Sequence, residues 1–219
     1  MLKKLLLASA ALFLILLGSL ILMMGYVFNH PESIFNAFNS VTAKFTQGEK
    51  YEEKEEYFLQ GIRQLSIKGH NSSLQVIPYN GATLKIELTG TIPRFERGPF
   101  LSQLGDGEQL AIEVHEPVAS NWVHININGQ ENTTSSDTAL SAKIYLPQTY
   151  RGVVSFTTKK GNVELLVPKE KFYQLDLQST EGRILNELAK TIPPGIQASE
   201  VGELHISTTS GNITVKNAF

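Results

Sequence analysis

The chain has 219 residues, a formal net charge of −2, 42% hydrophobic and 18% charged residues, and no cysteine. That length allows one domain of about 150–200 residues and an additional segment. The missing cysteines exclude a disulfide framework, a lipidated cysteine and thiolate metal sites. Beyond Phe28 there are 17 basic and 21 acidic residues, a balance that argues against nucleic acid or anionic lipid as partners, since both select clustered Lys and Arg.

The additional segment comes first. Leu5 to Phe28 is a run of 24 residues without a charge, preceded by Lys3 and Lys4. As a helix it would extend about 36 Å, enough for a hydrocarbon core of about 30 Å. A cleaved signal peptide has a shorter apolar region followed by a small-residue site. Here the A-x-A-like triplet Ala8-Ser9-Ala10 lies inside the apolar run. Residues 1–28 therefore read as an uncleaved signal-anchor, one N-terminal transmembrane helix. The flank Asn29-His30-Pro31-Glu32 has no Lys or Arg, so the positive-inside rule puts the N-terminus in the cytoplasm and the C-terminal domain outside a single-pass cell membrane anchor.

Residues 29–57 read as a short helix and a charged linker. Ile34, Phe35, Phe38, Val41 and Phe45 approach helical spacing, with Pro31 suited to a first helical position. Lys44 is the only cation there, which favours an ordinary packed helix over an interfacial one. Thr46 to Glu56 is dense in charge without an apolar face, as a solvated linker would be.

From residue 58 the apolar period becomes two. "QLSIKG", "SLQVIPY", "TLKIELTGTI", "QLAIEVH", "WVHININ" and "LSAKIYLP" each alternate, with turn chemistry such as Asn80-Gly81 and "NGQENTTSSD" between them. Residues 58–219 form an all-β, extracytoplasmic domain on this reading, with at most a brief helical stretch at "ILNELAK".

Three later segments share one figure: "VSFTTKKGNVEL", "LDLQSTEGRILN" and "LHISTTSGNITV". Take Gly161, Gly182 and Gly211 as origins. The positions seven and five before are Val154/Phe156, Leu175/Leu177 and Leu204/Ile206. Those two and four after are Val163/Leu165, Ile184/Asn186 and Ile213/Val215. Side chains two apart on a strand share a face, so every one of these except Asn186 predicts an inward apolar position. Each unit is strand, corner, strand, with glycine accepting a strained corner backbone at little cost. One unit cannot cover its own apolar face, but stacked units can. An irregular β-solenoid-like stack of short strands satisfies this best; an antiparallel sandwich of hairpins is the alternative.

These same residues resemble a known family. "FLQGIRQLSIKGHNSSLQVIPYNGATLKIELTG", then "KIYLPQTYRGVVSFTTKKGNVEL" with its Leu146-Pro147 pair, then "LDLQSTEGRI" and "LHISTTSGNITVKN" are similar to DUF4097-type "putative adhesin" domains. The resemblance covers about Phe58 to Ala218. It implies a β-solenoid-like domain tethered outside a bacterial membrane, with some relatives linked to cell-envelope stress systems, and it supplies no catalytic residues.

His115-Glu116-Pro117 lacks the second histidine of a zinc helix, and His124 and His205 fall at outward strand positions. No spacing asks for a metal, and no cofactor is expected. No G-x-S-x-G elbow or phosphate-binding glycine loop occurs. Asp176, Glu181, Arg183, Lys159 and Lys160 are the candidates for a carbohydrate-active enzyme on a solenoid face, although Lys159, Lys160 and Glu181 sit in turns where charge is ordinary. Ser155, Thr157, Asp176, Gln178, His205 and Ser207 form an outward polar ladder suited to a sugar or a protein edge, and equally to water. Trp122 fits a sugar-stacking ring or, more ordinarily, a core position. Asn71, Asn132 and Asn212 open N-x-S/T triplets, relevant only in a eukaryotic source. The expectation is a non-catalytic cell-envelope binding or scaffolding module with no assigned catalytic, cofactor or metal residue. Its partner would be an envelope glycan or a membrane protein; the alternative is a carbohydrate-active enzyme.

Overall fold

The computed structural model describes residues 2–30, 32, 35–37, 39–41, 48–117, 121–127, 130–135, 138–188, 192, 195–197 and 201–218. Inside elements, the side chains of residues 2–8, 10, 27–28, 121–125, 127 and 130–135 lie outside that description. The chain divides into two units, one of Met1–Gln47 with Ser120–Ser136 and one of Gly48–Ala119 with Asp137–Phe219.

The first unit holds helix α1 (Leu2–Asn29) and the antiparallel hairpin β7 (Asn121–Ile127) and β8 (Gln130–Ser135). Leu12 to Leu17 and Leu20 to Met24 expose their apolar side chains. Among the described residues no helix is long and apolar enough to cross a membrane, so the anchor reading rests on the sequence. Residues 35–37 and 39–41, within the segment expected to hold a short helix, are helical. The rest of that expected helix, including Ile34, Phe38 and Phe45, lies outside the described residues. β8 occupies part of "NGQENTTSSD", where the composition suggests only turns.

The second unit is two mixed sheets around one core. Its strands are β1 (Gly48–Phe58), β2 (Gln64–Gly69), β3 (Ser73–Tyr79), β4 (Thr83–Pro93), β5 (Leu101–Leu104), β6 (Gln109–Val114), β9 (Ala139–Pro147), β10 (Val153–Lys160), β11 (Val163–Val167), β12 (Phe172–Ser179), β13 (Ile184–Asn186), β14 (Val201–Ser210) and β15 (Ile213–Asn217). The seven-stranded sheet has the order β1-β4-β9-β3-β11-β15-β13, the six-stranded one β12-β14-β10-β2-β6-β5. Pairing is parallel except at β1–β4, β4–β9 and β5–β6.

The glycine-cornered units stack as their pattern requires. Leu177, Ile206, Phe156, Ile67 and Ile112 stand in one cross-strand row, and Leu175, Leu204, Val154, Leu65 and Leu110 in the next. On the other sheet one row runs Asn186, Val215, Leu165, Val76, Ile144, Ile86, Glu55. Its five apolar members are at most 2% exposed, and both ends are polar. Each fully buried aliphatic side chain contributes about 1.5–3 kcal/mol. Asn186, the one polar residue among the inward positions, is therefore the end of a row.

Two expectations are corrected. The segment read as a solvated linker is β1: paired antiparallel to β4 over its whole length, it turns Tyr57 into the core, holds Glu53 in hydrogen bonds and leaves its other charges exposed along an edge strand, where they protect the edge from stray pairing. The all-β fold thus begins at Gly48 rather than at residue 58. The units also do not wind in chain order. Numbering the β2–β3, β6–β9, β10–β11, β12–β13 and β14–β15 units one to five, their spatial order is four, five, three, one, two. The stacking of short strands is present, but the coil is not continuous, because the last unit slots between the third and fourth and the first between the second and third.

The corners explain the glycines. A Cβ on Gly182 would strike the carbonyl of Gly211, one on Gly211 that of Gly161, and one on Gly161 that of Ser72. Only Gly161 of the three has a positive φ, 139°, so close approach between corners, rather than backbone strain alone, demands glycine. Three residues before each glycine stands a hydroxyl that donates across the same gap. Ser179 donates to Gly211 O (2.9 Å), Thr208 to Gly161 O (3.3 Å) and Thr158 to Ser72 O (3.2 Å). One residue after, Asn212 Oδ1 accepts the Arg183 N–H and Asn162 Oδ1 accepts the Asn212 N–H, each at 2.9 Å. The outermost unit has Arg183 where the others have asparagine, and no further unit lies beyond it to be accepted.

Gly211→Ala is expected to destabilise by about 1–3 kcal/mol through overpacking, Gly182→Ala less because its unit is free to shift, and Thr208→Val by about 1 kcal/mol through loss of its hydrogen bond to the partly buried Gly161 carbonyl. Urea midpoints at unchanged slope would measure all three. Among the described residues the Tyr150 hydroxyl is buried without a hydrogen-bond partner, and burial pushes its pKa up to about 12. Because the unfolded phenol ionises near pH 10, the folded state loses stability as pH rises from about 10 toward 12. Tyr150→Phe should be neutral or stabilising at neutral pH and should shrink that alkaline loss.

Candidate binding face

The outer face of the six-stranded sheet collects the polar positions of several units, because residues between inward ones must point outward. One row reads Asp176, His205, Ser155, Ser66, Ala111; the next reads Gln178, Ser207, Thr157, Lys68, Glu113, Ser102. All six expected ladder residues, Ser155, Thr157, Asp176, Gln178, His205 and Ser207, are at least partly exposed on this face, and register brings them into adjacent positions.

At the β12–β14 end, Gln178 Nε2 donates to both Asp176 carboxylate oxygens (3.2 and 3.3 Å), and His205 Nδ1 lies 3.3 Å from Asp176 Oδ2. Ser207 Oγ donates to Thr157 Oγ1 at 3.1 Å. At the β2–β6–β5 end, His70 Nε2 lies 2.8 Å from Glu113 Oε1. An ionised carboxylate only accepts, so His70 carries its proton on Nε2. His115 Nε2 and Ser102 Oγ are 2.7 Å apart. The His70 hydrogen bond holds the Glu113 carboxyl below the ordinary carboxylate range against the opposing effect of burial, with His115 and Lys68 adding to it. On the other sheet's outer face, Gln75 (2.9 Å) and then Lys216 (3.1 Å) hold Glu164 low in the same way.

The enzyme candidates do not converge in the same manner. Asp176 is engaged by Gln178 and His205, while Lys159, Lys160, Glu181 and Arg183 are exposed at the corners. His115 bonds Ser102, and the side chains of Trp122 and His124 lie outside the described residues. Among the described residues no three His, Asp or Glu side chains are placed to hold a metal. Asn212, which opens an N-x-T triplet, spends its Oδ1 inside the corner ladder. The cluster of Lys68, His70, Glu113, His115 and Ser102 is not apparent in the sequence, because the β2–β6 and β5–β6 pairings that assemble it are long-range.

What the face offers is reversible hydrogen bonding: carboxylate, imidazole, primary amide, hydroxyl and ammonium groups spaced by about 4.8 Å between strands. No family model and no curated protein matches the chain. Among solved structures the chain is similar to a "putative cell adhesion protein" from Clostridium sporogenes, at 12% identity and a TM-score of 0.41, covering 78% of this chain and 100% of that one. A "putative adhesin" from Bacteroides fragilis matches at 8% identity and 0.28, covering 78% and 98%. Another from Parabacteroides merdae matches at 10% and 0.22, covering 76% and 79%.

His70→Ala should move the Glu113 titration upward, toward the ordinary carboxylate value, when followed by carbon-detected NMR of the carboxyl. The sign follows from linkage. A depressed folded pKa stabilises above the unfolded value of about 4.3 and loses that contribution as pH falls through the folded value. The variant should therefore be less sensitive to acid than the parent over that interval.

Proposed function

We propose that the chain is a non-catalytic binding or scaffolding module of the cell envelope, held at the membrane by its N-terminal segment with the β unit outside. The observation that carries this reading is the registered polar face, in which side chains from units distant in sequence form continuous rows on a closely packed stack. Support for the location comes from Lys3 and Lys4 ahead of an uncharged run, and from the apolar side chains that α1 exposes. The resemblance to DUF4097-type domains supports an adhesion-like or envelope-stress role, and a solenoid-like ancestry for the stack.

The test uses the full chain in detergent micelles, incubated with insoluble bacterial cell-wall glycan. Retention on the pelleted wall without new reducing ends is expected, and Asp176→Ala with Lys68→Ala should lower retention several-fold while leaving the fold intact. New reducing ends or unsaturated products would replace this reading with a carbohydrate-active enzyme. Absence of retention, together with crosslinks to a membrane protein in intact cells, would leave a protein-docking role instead. Protease applied to intact cells should degrade the β unit; its protection would overturn the proposed location.

A further inference from the structure

The two ends of the stack are unlike. At one end the rows are closed by β4, β1 and β5. At the other, β12 and β13 are edge strands, and among the described residues no further strand continues the apolar rows. Ile184 and Leu185 are 45% and 51% exposed, and Leu175 and Leu177 are partly buried against the core. A cavity of about 210 Å³ opens here between the start of β12 and the end of β15, and among the described residues its charged lining is Lys169 and Lys171.

The occupant this end fits has three properties: a free strand edge, a direction parallel to β13, and negative charge to meet the lysines. β1 has all three. It is the other edge of the same sheet. It is antiparallel to β4, which is antiparallel to β9, and β9 through β13 are parallel; β1 and β13 therefore run the same way. It carries five glutamates against two lysines. Glu55 and Asn186 terminate opposite ends of one inner row, so a second copy displaced along the stack brings that carboxylate against that amide. We propose that copies of this chain associate head to tail, the β1 edge of one seated on the open β12–β13 end of the next. This goes beyond the binding role and is independent of any ligand. The contact is heterologous, so it propagates instead of closing as a two-fold dimer would.

The cysteine-free chain permits a direct test. Full-length Glu55→Cys and Asn186→Cys proteins, mixed in detergent and oxidised, should form a disulfide-linked species containing one of each, and neither alone should crosslink above background. In sedimentation, the unmodified full chain should show mass rising in whole-copy steps with concentration and falling with added salt, because exposed charge pairs are screened. Glu55→Lys should abolish the steps and Lys171→Glu in the same chain should restore them. Crosslinking of Asn186→Cys with itself would overturn the proposal in favour of a two-fold contact. A single monomeric mass at every concentration and salt would overturn it outright, leaving β1's charge as edge protection only.

Discussion

The stack depends on how closely its corners approach. Parallel strands can be held at sheet spacing along their length by ladder hydrogen bonds, but the chain must also turn between the two sheets, and the turns of neighbouring units must nest. Here they nest so tightly that the carbonyl of one corner occupies the space a Cβ would fill on the next. Glycine makes room, and the hydroxyl three residues earlier then satisfies that carbonyl, which would otherwise be buried without a partner. The motif is thus a single physical device read twice, once as steric room and once as a hydrogen-bond donor. The register between these units, and with it the alignment of their outer polar rows, follows from it.

Much of this was legible because it is local. Period-two alternation marked the strands, and the offsets from Gly161 and Gly211 marked which side chains face inward: Val154, Phe156, Val163, Leu165, Leu204, Ile206, Ile213 and Val215 are all buried, whereas in the outermost unit Leu175 and Leu177 are partly buried and Ile184 is exposed. The outer ladder followed by parity. What escaped is non-local. Nothing in the spacing says that the β14–β15 unit sits between the β10–β11 and β12–β13 units, although one residue hints at it. The position after glycine is asparagine where a neighbour must be accepted and arginine at Arg183, where the stack ends. β1 was read as linker because an edge strand has one neighbour, exposes most of its side chains, and so carries the composition of solvated chain; only Tyr51 and Tyr57 betray its inward face.

The second end is sealed by different means. β1 is fastened by more than its ladder with β4. Glu53 accepts the Phe100 N–H at 2.8 Å and the Tyr51 hydroxyl at 2.7 Å, and the Tyr51 and Phe100 rings meet edge to face with centroids 5.0 Å apart. Burial, and then the Glu53 hydrogen bond, push the Tyr51 pKa up to about 12, so the phenol remains a donor across the neutral range. The carboxylate that would look like linker charge in the sequence is therefore a clamp joining β1 to the chain entering β5, and it ties the edge of one sheet to the edge of the other.

These features bear on function through rigidity. A binding face made of single residues from β12, β14, β10, β2 and β6 works as a face only if the units hold a fixed register, since a slip of one residue would turn every polar side chain inward. The corner ladder prevents that slip in the three glycine-cornered units: moving one of them by one position would press a Cβ into a carbonyl and break its corner hydrogen bond. The buried rows alone would tolerate some sliding, because hydrophobic contact is not directional. The directional bonds at the corners, weak individually, choose among nearly equivalent packings the one in which Asp176, His205 and Ser155 stand side by side. Stability resides mainly in the core, and the identity of the surface is set at the turns.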